Sequence, residues 1–368
     1  LGRFWFFRGY YREGGQWVQH ALQTNAARIE RADPASELAR LYARTLFHAG
    51  RLSRPFGDYA LTNAYFERSL GLLRQQNDPR TTAVVLNSLG VSAMEQNQFA
   101  RAHTIFVESL AILEELGNLE ELSNPLLNLS QIAYILGHYQ EARHYAERGL
   151  SISDQLQDLR SRAFALEDLA SAVMGQGDWY TGQTLLEESL AIHQRLSGAL
   201  QIATVYCHLA EIACIQQEYN KGDHLLNQAL QLMQQDGIED IIFTHTANKL
   251  QVYLALAQGD VRKALNAGQS SLNAAVQTNA PSMISCSLIA RAAVATAEAN
   301  AAYAIKLLAA ATAITQGLGI CFFAFDRYYY QQTRQTFHNR ICHDEFDSWW
   351  NQGLQLTLEE AVLFACQQ

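Results

Sequence analysis

Proline is scarce in this chain, with 5 in 368 residues. So few helix breakers favour long helices joined by short turns. Lysine is as rare, at Lys221, Lys249, Lys263 and Lys306 only. No Lys/Arg-rich run exists, and the formal net charge is −9, which argues against a nucleic-acid backbone as a direct partner. None of the six cysteines forms a C-x-x-C pair, and most sit among apolar neighbours as small buried groups do. The chain is not a short disulfide scaffold, so a reduced cytoplasmic setting is expected. No apolar run reaches the ~18 residues of a membrane span, and no signal peptide is visible. Motifs of chemistry are missing too. There is no G-x-x-x-x-G-K-[ST], no G-x-S-x-G and no H-E-x-x-H. Gly317-Leu318-Gly319 is too short for a dinucleotide fingerprint. The expectation is a chain without cofactor, metal or catalytic set.

What is present is periodicity. Five aromatic residues stand forty apart: Tyr59, Phe99, Tyr139, Trp179 and Tyr219. Small residues keep the same interval at Ala102, Ala142, Gly182 and Gly222, and again at Ser69, Ser109, Gly149, Ser189 and Ala229. Each member of the second set is followed by leucine, from Leu70 to Leu230. A period of this size marks a stacked repeat array, in which each unit packs on its neighbours.

Within one unit, Leu86, Leu89, Gly90 and Ala93 share a helical face. A stop column follows: Gly57, Asn97, Gly137, Gly177, with Gln217 as the exception. Asp58 and Asp178 in the next column suit N-caps. A second helix then carries Phe99, Ala102, Phe106, Ser109, Leu110 and Leu113. Its leading aromatic is expected to plug the gap between the two helices and the next unit. Gly182 and Gly222 imply close approach of another helix, since glycine costs a helix about 1 kcal/mol relative to alanine. Asp33-Pro34 and Asp78-Pro79 read as N-cap and first-turn proline, and Asn279-Ala280-Pro281 is similar. Pro125 falls just inside a helix start, and Pro55 should end or kink one.

Upstream, Tyr11, Gly14, Val18, Ala21 and Leu22 match a second helix. Downstream the spacing slips to 42 between Tyr219 and Val261, then returns to 40 at Ala301. About seven units result. Leu1 falls in mid-helix on this register, and Phe4, Trp5, Phe6 and Phe7 form an apolar start, as in a piece of a longer protein. The period fades near Gly317, where helices over 325–340, 344–352 and 358–365 are expected. The predicted organisation is a repeat solenoid over residues 1–316 and a helical cap over 317–368.

Leu86, Leu89-Gly90, Ala93, Phe99, Ala102, Phe106 and Ser109 resemble the tetratricopeptide-repeat (TPR) signature, in a longer unit than the 34-residue form. At the ends, Leu1-Gly2-Arg3-Phe4-Trp5, Arg8-Gly9, Glu13-Gly14, Trp17 and Ala21-Leu22, then Phe346, Trp349, Gly353, Leu356 and residues 358–362, resemble the TPR arm of bacterial STAND-type ATPases and LuxR-like transcription regulators. The resemblance implies an all-α, right-handed TPR-like superhelix. It also implies a sensor arm whose ATPase and output modules lie elsewhere in the parent protein.

In TPR arrays the first helices line a concave groove. That register assigns Arg44, Phe47, Arg51 and Arg54 from one unit, then Val84, Asn87, Val91 and Met94 from the next. Asn124, Leu127, Gln131 and Tyr134 follow, then Phe164, Glu167, Ser171 and Met174, and finally Thr204, Cys207, Glu211 and Cys214. A polar, soft and aromatic lining suits a protein or peptide segment, including another domain of the same parent. Alternatives are a small-molecule inducer held by the first helices and a self-assembling scaffold. His338, Cys342, His343 and Asp344 are the one metal-like cluster, with His338 and Cys342 spaced to share a helix face; an ordinary helix end is the favoured reading. Phe322 to Phe325 with Tyr328 to Tyr330 read as core of the cap rather than a partner patch.

Overall fold

The computed structural model describes residues 4–5, 10–33, 36–338 and 340–367. Leu1, Gly2, Arg3, Phe6, Phe7, Arg8, Gly9 and Pro34 lie outside them, as does the side chain of His338. Among the described residues are eighteen α-helices and no strand. They are α1 (Tyr11–Glu30), α2 (Glu37–Ser53), α3 (Tyr59–Gln75), α4 (Pro79–Glu95), α5 (Phe99–Glu115) and α6 (Leu119–Ile135). Then come α7 (Tyr139–Leu156), α8 (Leu159–Gly175), α9 (Trp179–Leu196), α10 (Ala199–Ile215), α11 (Tyr219–Gln235) and α12 (Ile241–Ala257). The last are α13 (Val261–Gln277), α14 (Pro281–Ala297), α15 (Ala301–Leu318), α16 (Ala324–His338), α17 (His343–Leu354) and α18 (Leu358–Ala365). Two compact units form: Leu1–Ala133 with Ser151–Leu156, and Tyr134–Leu150 with Gln157–Gln368. Residues 317–368 belong to the second.

The turns obey a shorter period than the side chains. Positive φ recurs every twenty residues, at 57, 77, 97, 117, 137, 157, 177, 197, 217 and 237, then at 259, 279, 299 and 319. All members of the stop column are included. After most of these positions the next residue reaches back to the preceding helix, as in Asp78 N–H to Leu73 C=O (3.1 Å) and Gln98 N–H to Ala93 C=O (2.9 Å). This is the Schellman closure, which satisfies carbonyls that a helix end leaves without partners. The same stop therefore ends both helices of a unit, and the forty-residue repeat is two such steps. The slip to 42 also finds its cause. Elsewhere in the repeats a helix starts two residues after the left-handed one, but α12 starts four after Gly237, with Ile238 and Glu239 added in the turn.

Caps follow side-chain chemistry. Asp58, Asp78, Asp158, Asp178, Asp240 and Asp260 each accept a backbone N–H of the first turn, whereas Gln98 and Glu218 do not. Asp33-Pro34 is corrected: Ser36 caps α2, accepting from Ala39 N–H at 3.3 Å. Pro55 lies in a 3₁₀ turn after α2, and Pro125 is tolerated seven residues into α6.

The aromatic column does not carry the core as expected. Phe99 is buried, but Tyr59, Tyr139, Trp179 and Tyr219 are only half-buried. The fully buried column stands seven residues on, at Phe66, Phe106, Leu186 and Leu226. It explains the Leu-Gly pair. A Cβ at Gly50 would come 2.5 Å from the Phe66 ring, and one at Gly90 2.5 Å from Phe106. The close approach expected at Gly182 is present: a Cβ there would sit 2.5 Å from Met174 Cγ. The small serine column is polar with purpose, since Ser69 donates to Ala43 C=O and Ser109 to Ala83 C=O, both at 2.8 Å. Both buried hydroxyls are thereby satisfied.

In the second unit, α17 and α18 cover α15. Tyr303 donates to Ala365 C=O at 2.9 Å, and Gly353 lies directly on the Lys306 backbone. A terminal cap of this kind protects the last apolar face. Contrary to the expectation that no segment is long and apolar enough to cross a membrane, α15 qualifies by length and composition. It is nonetheless engaged as a core helix, with Ala304, Ile305, Leu307, Leu308, Ala310 and Ala311 buried.

Ala299 is the alanine of the left-handed series, at φ 60°. That conformation costs an L-residue about 1–2 kcal/mol, whereas extra chain entropy costs glycine about 0.5–1 kcal/mol. Ala299→Gly should therefore raise stability by about 0.5–1 kcal/mol, read as a higher urea midpoint at unchanged slope.

Candidate functional site

After α15 the chain turns back across its own unit. Cys321 N–H donates to Ile135 C=O at 2.9 Å, and Ala324 N–H to the Tyr134 hydroxyl at 2.9 Å. Phe323 stacks on Tyr134 with ring centres 5.9 Å apart. Arg327 donates to the Tyr139 hydroxyl and, at 2.6 Å, to Gly175 C=O. From there α16 runs against the first helices α8, α10 and α14, and against α12 through its side chains. Tyr253 of α12 stacks on Tyr329 and meets Phe325 edge-on, with centres 3.8 and 5.2 Å away. The first-helix face of this unit therefore seats a helix, and that helix belongs to the chain itself. Phe325 and Tyr330 are buried, as a core reading of this segment expects.

A charged cluster pins α16. Lys249 Nζ lies 2.9 Å from Asp326 Oδ2 and 3.3 Å from Glu211 Oε1. Glu211 Oε2 is 3.3 Å from His208 Nδ1. Lys249, Glu211 and Asp326 are 5%, 8% and 0% exposed. Burial works against the Lys249 charge, but Asp326 and Glu211 outweigh it and keep the ammonium protonated. Burial would raise Glu211, yet Lys249 and His208 bring it below the ordinary carboxylate range. Burial pushes Asp326 up, and Lys249 offsets this only in part. His208 is drawn down by burial but is raised on balance by its Glu211 hydrogen bond and charge. His245, 4% exposed, is held at about 3 by burial and the Lys249 charge, and its Nε2 lies 3.1 Å from Met283 C=O.

Beside this cluster is a cavity of about 370 Å³, bounded by Tyr134, Ser171, Met174, Trp179, His208, Glu211, Lys249, Phe323 and Phe325 among others. The first unit has a smaller one of about 290 Å³, bounded by Phe47, Arg51, Arg54, Val84, Asn87, Val91 and Asn124 with others.

Residues 81–155 match the tetratricopeptide-repeat family model. The solved structure of RapI in its apo form superposes with a TM-score of 0.60 at 12% identity, covering 81% of this chain and 99% of that one. This is a tetratricopeptide-repeat fold. Aspartyl phosphate phosphatase F from Bacillus subtilis gives 0.60 at 13% identity, covering 82% of this chain and 72% of its own. A Rap protein complexed with competence and sporulation factor gives 0.56 at 12%, covering 91% and 86%. At such identities the likeness is one of fold. No curated protein matches the chain in sequence.

On the TPR scaffold, the expected groove residues have different fates. Phe47, Arg51, Arg54, Asn87 and Asn124 meet at the first unit's cavity, while Arg44, Met94 and Gln131 stand outside it. Arg54 lies 3.5 Å from Glu95, and Asn87 accepts from Asn128 at 2.9 Å. Tyr134, Ser171, Met174 and Glu211 meet at the second unit's cavity. Glu167 instead turns into its own pair, accepting from Ser189 at 2.9 Å and lying 2.7 Å from His193. Cys207 and Cys214 are in the core, 1% exposed each, and burial lifts the Cys214 thiol to about 12. The proposed shared face of His338 and Cys342 does not exist, because α16 ends at His338 and Cys342 is the N-cap position of α17. Among the described residues no three His, Cys, Asp or Glu side chains group as a metal site. Sequence reasoning missed Lys249, Asp326, His208 and His245. A signal existed for the first: Lys249 is a rare lysine inside the apolar run of α12.

Removing one partner of a buried ion pair leaves the other uncompensated, at about 3–5 kcal/mol. Lys249→Met should cost about that much in urea unfolding, and Lys249→Met with Asp326→Leu markedly less. His245 supplies a pH dependence. Unfolded, it binds a proton below its ordinary value of 6.5; folded, it does not until about 3. Its contribution is complete above pH 6.5 and falls as pH drops through that window, by up to about 1.4 kcal/mol per pH unit. His208, raised, acts in the opposite sense, its contribution fading as pH rises through its folded value. Between pH 7 and pH 5 wild type should therefore lose more stability than His245→Gln, read from paired urea midpoints.

Proposed function

We propose that this chain is a non-catalytic, partner-binding arm of a bacterial signal-transduction regulator of STAND type, holding a protein or peptide segment on first-helix faces. The observation that carries this reading is α16, a helix seated across α8, α10, α12 and α14 by stacked rings and a buried ion pair. Helix-in-groove recognition uses the same physics between chains. Support also comes from the Rap protein solved with competence and sporulation factor, and from the end motifs around Trp17 and 358–362. In the first unit the partner face is the Arg51, Arg54, Asn87 and Asn124 cavity. Its two arginines suit a segment carrying carboxylates beside apolar residues. We assign the arm to the cytoplasm and to transcriptional control through modules of its parent.

Peptides selected by display on the whole chain test this. The expected consensus is acidic and apolar. Binding should fall about tenfold or more in Arg51→Glu/Arg54→Glu, the worth of charge-assisted contacts. Bound peptide should slow amide exchange in α2 and α4. Protection confined to α3 and α5 would overturn the assignment.

A further inference from the structure

The cavity beside α16 has the composition of a small-molecule site. Its volume of about 370 Å³ lies at the low end of ligand sites, which span ~300–1,000 Å³ and are mostly apolar with a few polar groups. Tyr134, Trp179, Phe323 and Phe325 supply aromatic surface. The polar groups are unequal in what they have left to give. Lys249 directs its ammonium at two carboxylates, 2.9 and 3.3 Å away, and His208 directs Nδ1 at Glu211. The cations are thus committed to protein acceptors. Each Glu211 oxygen has one such neighbour, and a carboxylate oxygen has lone pairs for another. Glu211 and Asp326 are matched by Lys249 and His208, so what the cluster offers a ligand is the lone pairs left on Glu211, which call for a donor. Aromatic faces favour a cationic one.

We propose that this cavity binds a compact aromatic amine, its ring among Trp179, Phe323 and Phe325 and its ammonium on Glu211. The site straddles the first helices and α16, because Phe323 and Phe325 belong to the segment that opens α16, and Asp326 pins it. A ligand held by both stabilises the seated helix, in proportion to its differential affinity for that state. Peptide capture by the first unit neither requires nor excludes this site.

Tryptamine, phenethylamine and benzylamine are the probes, with indole-3-acetate as the anionic counterpart of the first. Calorimetric titration of the whole chain should give saturable binding of at least one amine and none of the acid. Glu211→Gln should weaken the amine about tenfold or more, the loss of one charge-assisted contact. Ser171→Trp fills the cavity, leaves the charged cluster untouched and should abolish binding, so the result stands even if the Glu211 variant fails to fold. Amide exchange in α16 should slow on saturation. Equal or tighter binding of indole-3-acetate, amine binding unaffected by Ser171→Trp, or no binding of any of the three amines would each overturn the proposal.

Discussion

The left-handed residue that closes each repeat helix sets everything else in this fold. It recurs at twenty-residue steps, so nearly every repeat helix from α2 to α14 has the same length of about five turns. Equal lengths keep side chains in register from pair to pair. Only then can Phe66 find Gly50, Phe106 find Gly90, and Ser69 and Ser109 find the carbonyls of Ala43 and Ala83. The stop is a backbone device, and its tolerance is instructive. Glycine, asparagine, glutamine, serine and alanine all occupy it. Packing on both sides holds the conformation where intrinsic preference alone would not.

That tolerance also explains what was legible. The forty-residue repeat was visible in the aromatic, small and leucine columns, and it led to helix pairs. The twenty-residue step was hidden, because Asn77, Gln157, Ser197 and Ala299 share a conformation without sharing a side chain. The regular aromatic column, Phe99 apart, lies at the rim of the packing. The column that fills the interior changes from phenylalanine to leucine between Phe106 and Leu186 and so keeps no recognisable signature.

The candidate site was legible in part. A first-helix register places Tyr134, Ser171, Met174 and Glu211 on one face, and they do meet. It could not place Asp326 against Lys249, 77 residues away, because nothing periodic relates them. The apolar face of α16 reads in sequence as cap core, and in the structure it is also a docked segment. Its buried side faces four successive first helices.

The contacts of α16 have a consequence for synthesis. Its docking residues reach back 190 positions, from Ala324 to Tyr134. Chains emerge from the ribosome N-terminal end first, and repeat units can fold as they appear. The pairs from α8 to α13 are thus complete while α16 is still untranslated. For that interval Lys249 and Glu211 stand without Asp326, and the face later filled in cis is uncovered.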